Sequence, residues 1–397
     1  MYLTADEERI LEGEEGETLR KAMEILVALG DIYGAESLIP IKSAQIAGVS
    51  YKTIGDAGLE WISDLKGQVK VPSVLNPAGM DMVRWDEMGI SKEFAEKQKQ
   101  IVEAYGSLGI NTMCTCTPYY LEGFSVGYGD HLAWSESSAV SYANSVIGAR
   151  TNREGGPSAL SAALVGKTAN YGYHLDENRV PSVGIRVECD LKGADYGALG
   201  YVAGKISGNR VPIFSLSSIS TKDELKSLGA AMAASGAVAL YHVENVTLEA
   251  QKMSYDFPEE VAIVESSDIE EVYATVGGSD GNSECDIAAV GCPHCSPEEL
   301  ESIANMVQGK TLDKEFWVFT SREVAVNNPD LVKTIEKSGA KVFCDTCMVV
   351  SPAANNFQHM AVNSGKAYAY VPGMCRINST LCDLKNCISK VGGSDDN

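Results

Sequence analysis

Asp286-Ile-Ala-Ala-Val-Gly-Cys-Pro-His-Cys-Ser-Pro-Glu-Glu299 passes directly from an apolar run into a helix start. Residues 286–290 carry the short, branched, apolar pattern of a buried strand. Ser296 with Glu299 three positions on is a capping box, and Pro297 occupies the first helical position. A strand therefore ends on Gly291-Cys-Pro-His-Cys295 and a helix follows it. In open α/β sheets, ligands collect beyond the carboxyl ends of strands. This cysteine segment is thus expected at the rim of a site.

The same alternation extends outward. Strands are expected at 212–216, 237–242, 316–319, 341–343 and 366–371, with helices starting at the Thr221-Lys-Asp-Glu224 capping box and spanning 330–337. Strand–helix alternation argues for an α/β fold with a mixed or parallel sheet flanked by helices. Towards the N-terminus, Thr4-Ala-Asp-Glu7 is another capping box. Gly13 and Gly16 divide two helices, and Gly30 and Gly34 close the second. Residues 43–54 read as loop and turn, 92–104 as a helix, 109–113 as a short strand and 136–149 as a small-residue helix. The turn at 151–158 leads into a helix to 165, with Pro157 at its start. Its free N–H groups could meet an anion, although a plain connecting turn explains the glycines as well. Three regions are expected: 1–110, mostly helical with substrate loops; 111–265, central α/β; and 266–397, C-terminal α/β. The tail 392–397 is expected to fray.

The chain has 397 residues, 45% of them hydrophobic, enough for two or three domains. No run of 18 apolar residues occurs, and the acidic N-terminus lacks the basic and apolar regions of a signal peptide. A cytoplasmic protein is expected. The net charge of -22 argues against nucleic acid and anionic membranes as partners. An anionic substrate would need a local basic pocket. Eleven cysteines without an export signal point to metal or thiol chemistry.

Three segments concentrate those cysteines: Cys114-Thr-Cys116, Cys292-Pro-His-Cys295 and Cys344-Asp-Thr-Cys347. One thiolate from each could meet at a single centre. Three ligands on an iron–sulfur cluster leave one corner open to substrate, whereas an electron carrier normally uses four cysteines. Cys116, Cys292 and Cys347 are the chosen ligands, with Cys114, Cys295 and Cys344 as alternatives that spacing does not eliminate. The two C-x2-C pairs suit zinc equally well. A thioredoxin-like pair is disfavoured because neither pair is read at a helix start in the usual unit. Cys189, Cys285, Cys375, Cys382 and Cys387 read as small buried hydrophobes.

Thr115-Cys-Thr-Pro-Tyr119, Trp134-Ser-Glu-Ser-Ser-Ala139, the run 143–153 (Ala-Asn-Ser-Val-Ile-Gly-Ala-Arg-Thr-Asn-Arg), Gly291-Cys-Pro-His294 and Asp345-Thr-Cys347 together resemble the aconitase X family through nearly the whole chain. The resemblance is to the branch built of separate large and small chains. Ser43-Ala-Gln-Ile-Ala-Gly48 departs from the His-containing version of the single-chain branch, which dehydrates cis-3-hydroxy-L-proline. The resemblance implies an aconitase-like large subunit with α/β subdomains around a central cleft. It implies a hydro-lyase that converts (R)-5-phosphomevalonate to trans-anhydromevalonate 5-phosphate in the archaeal mevalonate route to isoprenoids. It further implies a cluster, [4Fe–4S] or its [3Fe–4S] remnant, on Cys116, Cys292 and Cys347, and a small swivelling partner that supplies a catalytic serine.

Glu136 and His294 are the candidates in this chain for positioning or proton transfer. A helix N-terminus for Glu136 and a hydrogen-bonded supporting role for His294 are the simpler readings. Arg150, Arg153 and Lys167 are candidate cations for the phosphate or carboxylate, because arginine's fork matches both anions. Residues 76–81, after Pro72-Ser-Val-Leu75, resemble another pocket loop of the family, with Ser73 as its expected contact; Asn76, Ser137, Asn144 and Asn152 complete the candidate substrate contacts. The competing readings are a hydroxyproline-type dehydratase and a non-enzymatic zinc scaffold.

Overall fold

The computed structural model describes residues 1–217, 220–277, 284–392 and 394–395. Its strands assemble mainly into three sheets. The first orders Asn111–Cys114, Ser73–Leu75, Ala44–Ile46 and Ala133–Trp134, all parallel. The second orders Val261–Val264, Val183–Val187, Pro212–Ser215 and His242–Val243, again parallel. The third orders Val276–Gly277, Asn378–Leu381, His359–Val362, Ile287–Cys295, Glu315–Thr320 and Lys341–Cys344, with only the first pairing antiparallel. No helix among the described residues is long and apolar enough to cross a membrane.

Parallel strands need helical crossovers, and helices cover the faces. Gly156–Val165 is buried on all sides from Ser158 onward and is packed between the first sheet and the helix Glu17–Tyr33. The helices Asp195–Ser207 and Lys222–Gly236 approach closely through small residues. A Cβ on Gly204 would stand only 3.0 Å from the Met232 carbonyl oxygen. One apolar core joins the second and third sheets: Ile185, Phe214 and Tyr241 share it with Trp317, Phe319, Phe343 and Met360. Cys292 and Cys347 belong to that core. The central cysteine strand is therefore anchored in packing, which suits a precisely held site.

The capping boxes at Thr4, Thr221 and Ser296 form as read. Other expectations change. Residues 366–371 are no strand: Gly365–Tyr370 is a helix whose N-cap, Ser364, accepts from Ala367 N–H at 3.3 Å. Packing decides this, since Gly365 lies against Gly197, and a Cβ there would overlap the Gly197 carbonyl. Residues 237–242 supply only the start of a two-residue strand, His242–Val243, because Ala237 is left-handed and ends the preceding helix. Residues 43–54 contain the buried strand Ala44–Ile46 and the start of the helix Tyr51–Asp64. The first sheet runs across the boundary expected at residue 110. In the tail, Ser394–Asp395 pairs with Lys310–Thr311, while residues 393, 396 and 397 lie outside the described set.

Candidate active site

Three chain segments converge on one buried point. The Ile287–Cys295 strand loses its register between Val290 and Cys295. Gly291 makes this bulge possible: its φ is +92°, and a Cβ would strike the Phe319 backbone. Within the bulge, the Cys292 thiol hydrogen-bonds that of Cys347, and its carbonyl accepts from Ser364 Oγ. His294 N–H donates to Cys116 Sγ at 3.1 Å. Cys116, Cys292 and Cys347 are each under a tenth exposed and lie within one another's electrostatic field.

The alternative thiols sit in different surroundings. Cys114 and Cys344 feel Asp345 and Arg322, while Cys295 feels Glu299 and Lys226 before it feels Cys116. Cys292 and Cys295 line one small pocket but pack into different apolar clusters. Among the described residues, no three His, Cys, Asp or Glu side chains are arranged to hold a single metal ion. Cys295 directly precedes the helix cap Ser296, so the expected absence of a helix start fails as an argument against a redox pair. What argues against that pair is that Cys292 hydrogen-bonds Cys347, while Cys295 packs in a different apolar cluster.

Electrostatics distinguish the three thiols. Burial pushes Cys116 up to about 12. Cys347 falls to about 7, chiefly because Cys292 donates to it, with further help from the Val350 and Val349 N–H groups. Backbone donors to sulfur stabilise thiolate, the form that binds metal.

His294 ties two of these segments together. Its Nε2–H donates to the Thr346 carbonyl at 2.8 Å, and Nδ1 accepts from Thr115 Oγ at 3.0 Å. Each threonine adjoins a candidate ligand. Burial lowers the ring to about 4, so it is neutral at pH 7. Behind it, Lys226 donates to the His294 carbonyl at 3.4 Å and pairs with Glu299 and Asp223.

Glu136 caps the helix Ser137–Tyr142, accepting from Ala139 N–H at 2.9 Å. It also forms a buried ion pair with Lys366, whose Nζ lies 3.1 Å from Ser138 Oγ. Burial opposes charge on both groups, but each partner outweighs it: Glu136 stays below the usual carboxylate range and Lys366 well above the usual ammonium range. Lys366 also faces Cys292 and Cys116. Its expected place in a strand concealed this residue. Ser364, a cap three residues before the alanine at 367, is the local signal that would have placed it on a helix N-terminus.

The remaining expected contacts divide. Asn76 Oδ1, Thr346 Oγ and the Tyr119 hydroxyl are buried without a protein partner. The loop bearing Asn76 is fastened to the Cys347 segment by Ala78 N–H to the Asp345 carbonyl, 2.7 Å. Arg322 bridges Asp81 and Asp345 across the same junction. Ser137 Oγ lies 3.4 Å from Glu136, whereas Ser73 Oγ donates to the Val71 carbonyl. Asn144 bonds Thr151, Ala239 and Arg179, and Asn152 bonds Tyr171 and Tyr173. Arg150 pairs with Asp176, Lys167 pairs with Glu7 at 2.6 Å, and Arg153 is exposed. At the glycine turn, Glu154 supplies its own carboxyl to Ser158 and Thr168. Arg179, fully buried, holds the segment around 144–149 against Glu249, a long-range pair with no local sequence signature.

The buried thiols and their backbone donors are the ligand chemistry that an iron–sulfur cluster takes. Models of the first, second and third domains of aconitase X match residues 1–177, 181–274 and 285–393. The chain is 69% identical to the phosphomevalonate dehydratase large subunit of Methanosarcina mazei, covering 99% of this chain and 98% of that protein. It is 51% identical to the protein of the same name from Methanothermobacter thermautotrophicus, with 98% of each covered. The cis-3-hydroxy-L-proline dehydratase of Pseudomonas aeruginosa is 33% identical, with 98% of this chain and 70% of that protein covered. The crystal structure of Thermococcus kodakaraensis aconitase X, in its holo-form, matches with a TM-score of 0.90 at 47% identity over 98% of this chain and all of that one.

Proposed function

The chain belongs to the aconitase X family, and from that premise we propose that it is the large catalytic subunit of a hydro-lyase dehydrating (R)-5-phosphomevalonate to trans-anhydromevalonate 5-phosphate. The observation that carries this reading is the meeting of three separate cysteine segments beside the Glu136–Lys366 pair. The choice of substrate is supported by relatives 49–69% identical that bear the phosphomevalonate name, against 33% and 29% for the hydroxyproline enzymes. Their designation as large subunits supports a small partner chain.

Cys116, Cys292 and Cys347 would hold an iron–sulfur cluster, which when bound supplies a Lewis acid for the leaving hydroxyl. The chain's own residues do the rest of the positioning. Lys366 offers a buried ammonium to a substrate anion in a protein that is otherwise strongly acidic. Glu136 keeps that ammonium charged and aimed, and is the group placed to exchange a proton with substrate. Asn76 Oδ1 is free to accept from a substrate hydroxyl, and the Tyr119 hydroxyl to donate to a substrate oxygen. His294, with both ring nitrogens bonded, acts as a positioning residue for the Cys116 and Cys347 segments. The base that removes the carbon proton is a serine of the small partner.

Anaerobic mixing of large and small chains should give dehydration of phosphomevalonate that neither chain gives alone. Full activity of the large chain alone would remove the partner's role, and turnover of cis-3-hydroxy-L-proline instead would overturn the substrate.

A further inference from the structure

Cys285, Cys382 and Cys387 take no part in the proposed chemistry. All three are free and buried in one apolar cluster with Val290, Phe316, Ala361 and Val391. Cys382 follows the strand Asn378–Leu381 and immediately precedes Asp383, which caps the helix Leu384–Lys390 by accepting from Asn386 N–H at 2.6 Å. Cys382 is thus the residue before the cap, and Cys387 is the fourth helical residue. Side chains at these two positions meet across the first turn as a hydrophobic staple. Here both members are thiols, and they hydrogen-bond one another. Cys387 Sγ also lies 3.9 Å from the Cys382 carbonyl oxygen.

The two thiols differ in access. Cys387 is completely sealed. Cys382 stands on the wall of a 1080 Å³ cleft, with Lys192, Asp195, Thr221, Asn363 and Lys390. Cys382, 5% exposed, is the thiol nearer the cleft, with Cys387 in contact behind it. Reactive redox cysteines share this arrangement, an approachable thiol beside a resolving one.

We propose that Cys382 and Cys387 are a redox-active dithiol that reduces small-molecule disulfides entering this cleft. Cys382 thiolate attacks one sulfur of the disulfide RSSR. The S–S bond breaks, a mixed disulfide forms, and RS⁻ leaves to take up a proton. Cys387, losing its proton, attacks the Cys382 sulfur and expels the second RS⁻. Two electrons pass from the two protein thiols to RSSR, giving one Cys382–Cys387 disulfide and two RSH. The Cys387 hydrogen bond assists by holding Cys382 below the ordinary thiol range. The new bond would fasten the end of the Asn378–Leu381 strand to a helix that packs on the Cys292-bearing strand.

The test is to incubate the intact, cluster-loaded protein anaerobically with oxidised glutathione, quench with an alkylating agent and map the peptides. The expected result is a Cys382–Cys387 disulfide, lighter by two hydrogens and unalkylated at both positions. Cys387→Ala should instead keep one glutathione on Cys382. Recovery of both cysteines alkylated in the native protein, whether or not the partly exposed Cys189 reacts, would overturn the proposal. So would a wild-type glutathione adduct on Cys382 that never resolves. If Cys387→Ala does not fold, the wild-type map alone decides.

Discussion

Replacing Lys366 with Met removes the cation from a buried ion pair and leaves its carboxylate in place. Glu136 is 9% exposed and keeps three donors: Ala139 N–H at 2.9 Å, Ser138 Oγ and, more distantly, Ser137 Oγ. Breaking a buried pair from one side costs about 3–5 kcal/mol, because the surviving charge is uncompensated. The remaining donors place Lys366→Met near the lower end, about 3 kcal/mol. A chain with three sheets need not unfold in one step, so the cost is best read locally by native-state hydrogen exchange. At about 1.4 kcal/mol per factor of ten, amides that exchange by opening this junction, including Ala139 and Ala367, should exchange roughly 100-fold faster. Amides of the Val183–Val187 strand should change far less. Equal protection in variant and wild type would mean that Glu136 is hydrated and that the buried pair is not the organising charge of the site.

His294→Ala removes the partners of two buried groups, Thr115 Oγ and the Thr346 carbonyl, at about 1–3 kcal/mol each. Iron should be lost faster from this variant, while the residual activity keeps the wild-type pH profile; a displaced profile would instead make His294 a proton carrier. Glu249 is held below the usual carboxylate range: burial raises it, but the Arg179 hydrogen bonds and charge prevail. Its stabilisation is therefore complete above the unfolded value of about 4.3 and is lost as pH falls through the lower folded value. Amides of Ala143–Ile147 should lose protection in that acid range, and Arg179→Met should remove this pH dependence. Gly365→Ala drives a methyl into the Gly197 backbone and Ala231. It should destabilise by about 1–3 kcal/mol in urea-monitored unfolding, and an unchanged midpoint would refute the close helix packing.

Local chemistry was the legible part. Thr4/Glu7, Thr221/Glu224 and Ser296/Glu299 each state a helix start within four residues, and all three formed. The three cysteine segments stand out for the same reason: each shows its paired thiols within four residues. Lys366-Ala-Tyr-Ala-Tyr-Val reads as alternation, yet the contact between Gly365 and Gly197 imposes a helix, and that is a tertiary fact. Ala44–Ile46 is too short for its period to be read, and its buried Gln45 disguises it further. Arg150 and Lys167 look like free cations in sequence, but the structure spends them on Asp176 and on the distant Glu7. The selection of Cys116 over Cys114, and of Cys347 over Cys344, depends on which way each thiol faces, and spacing carries no such information.

Six single cysteine-to-serine variants, reconstituted anaerobically and assayed for iron, sulfide and spin resonance, test the convergence directly. Cys116→Ser, Cys292→Ser and Cys347→Ser should each lose the cluster, while Cys114→Ser, Cys295→Ser and Cys344→Ser should retain it. A full cluster in any of the first three, or its loss from any of the second three, would contradict the assignment of one thiolate from each segment to a common centre.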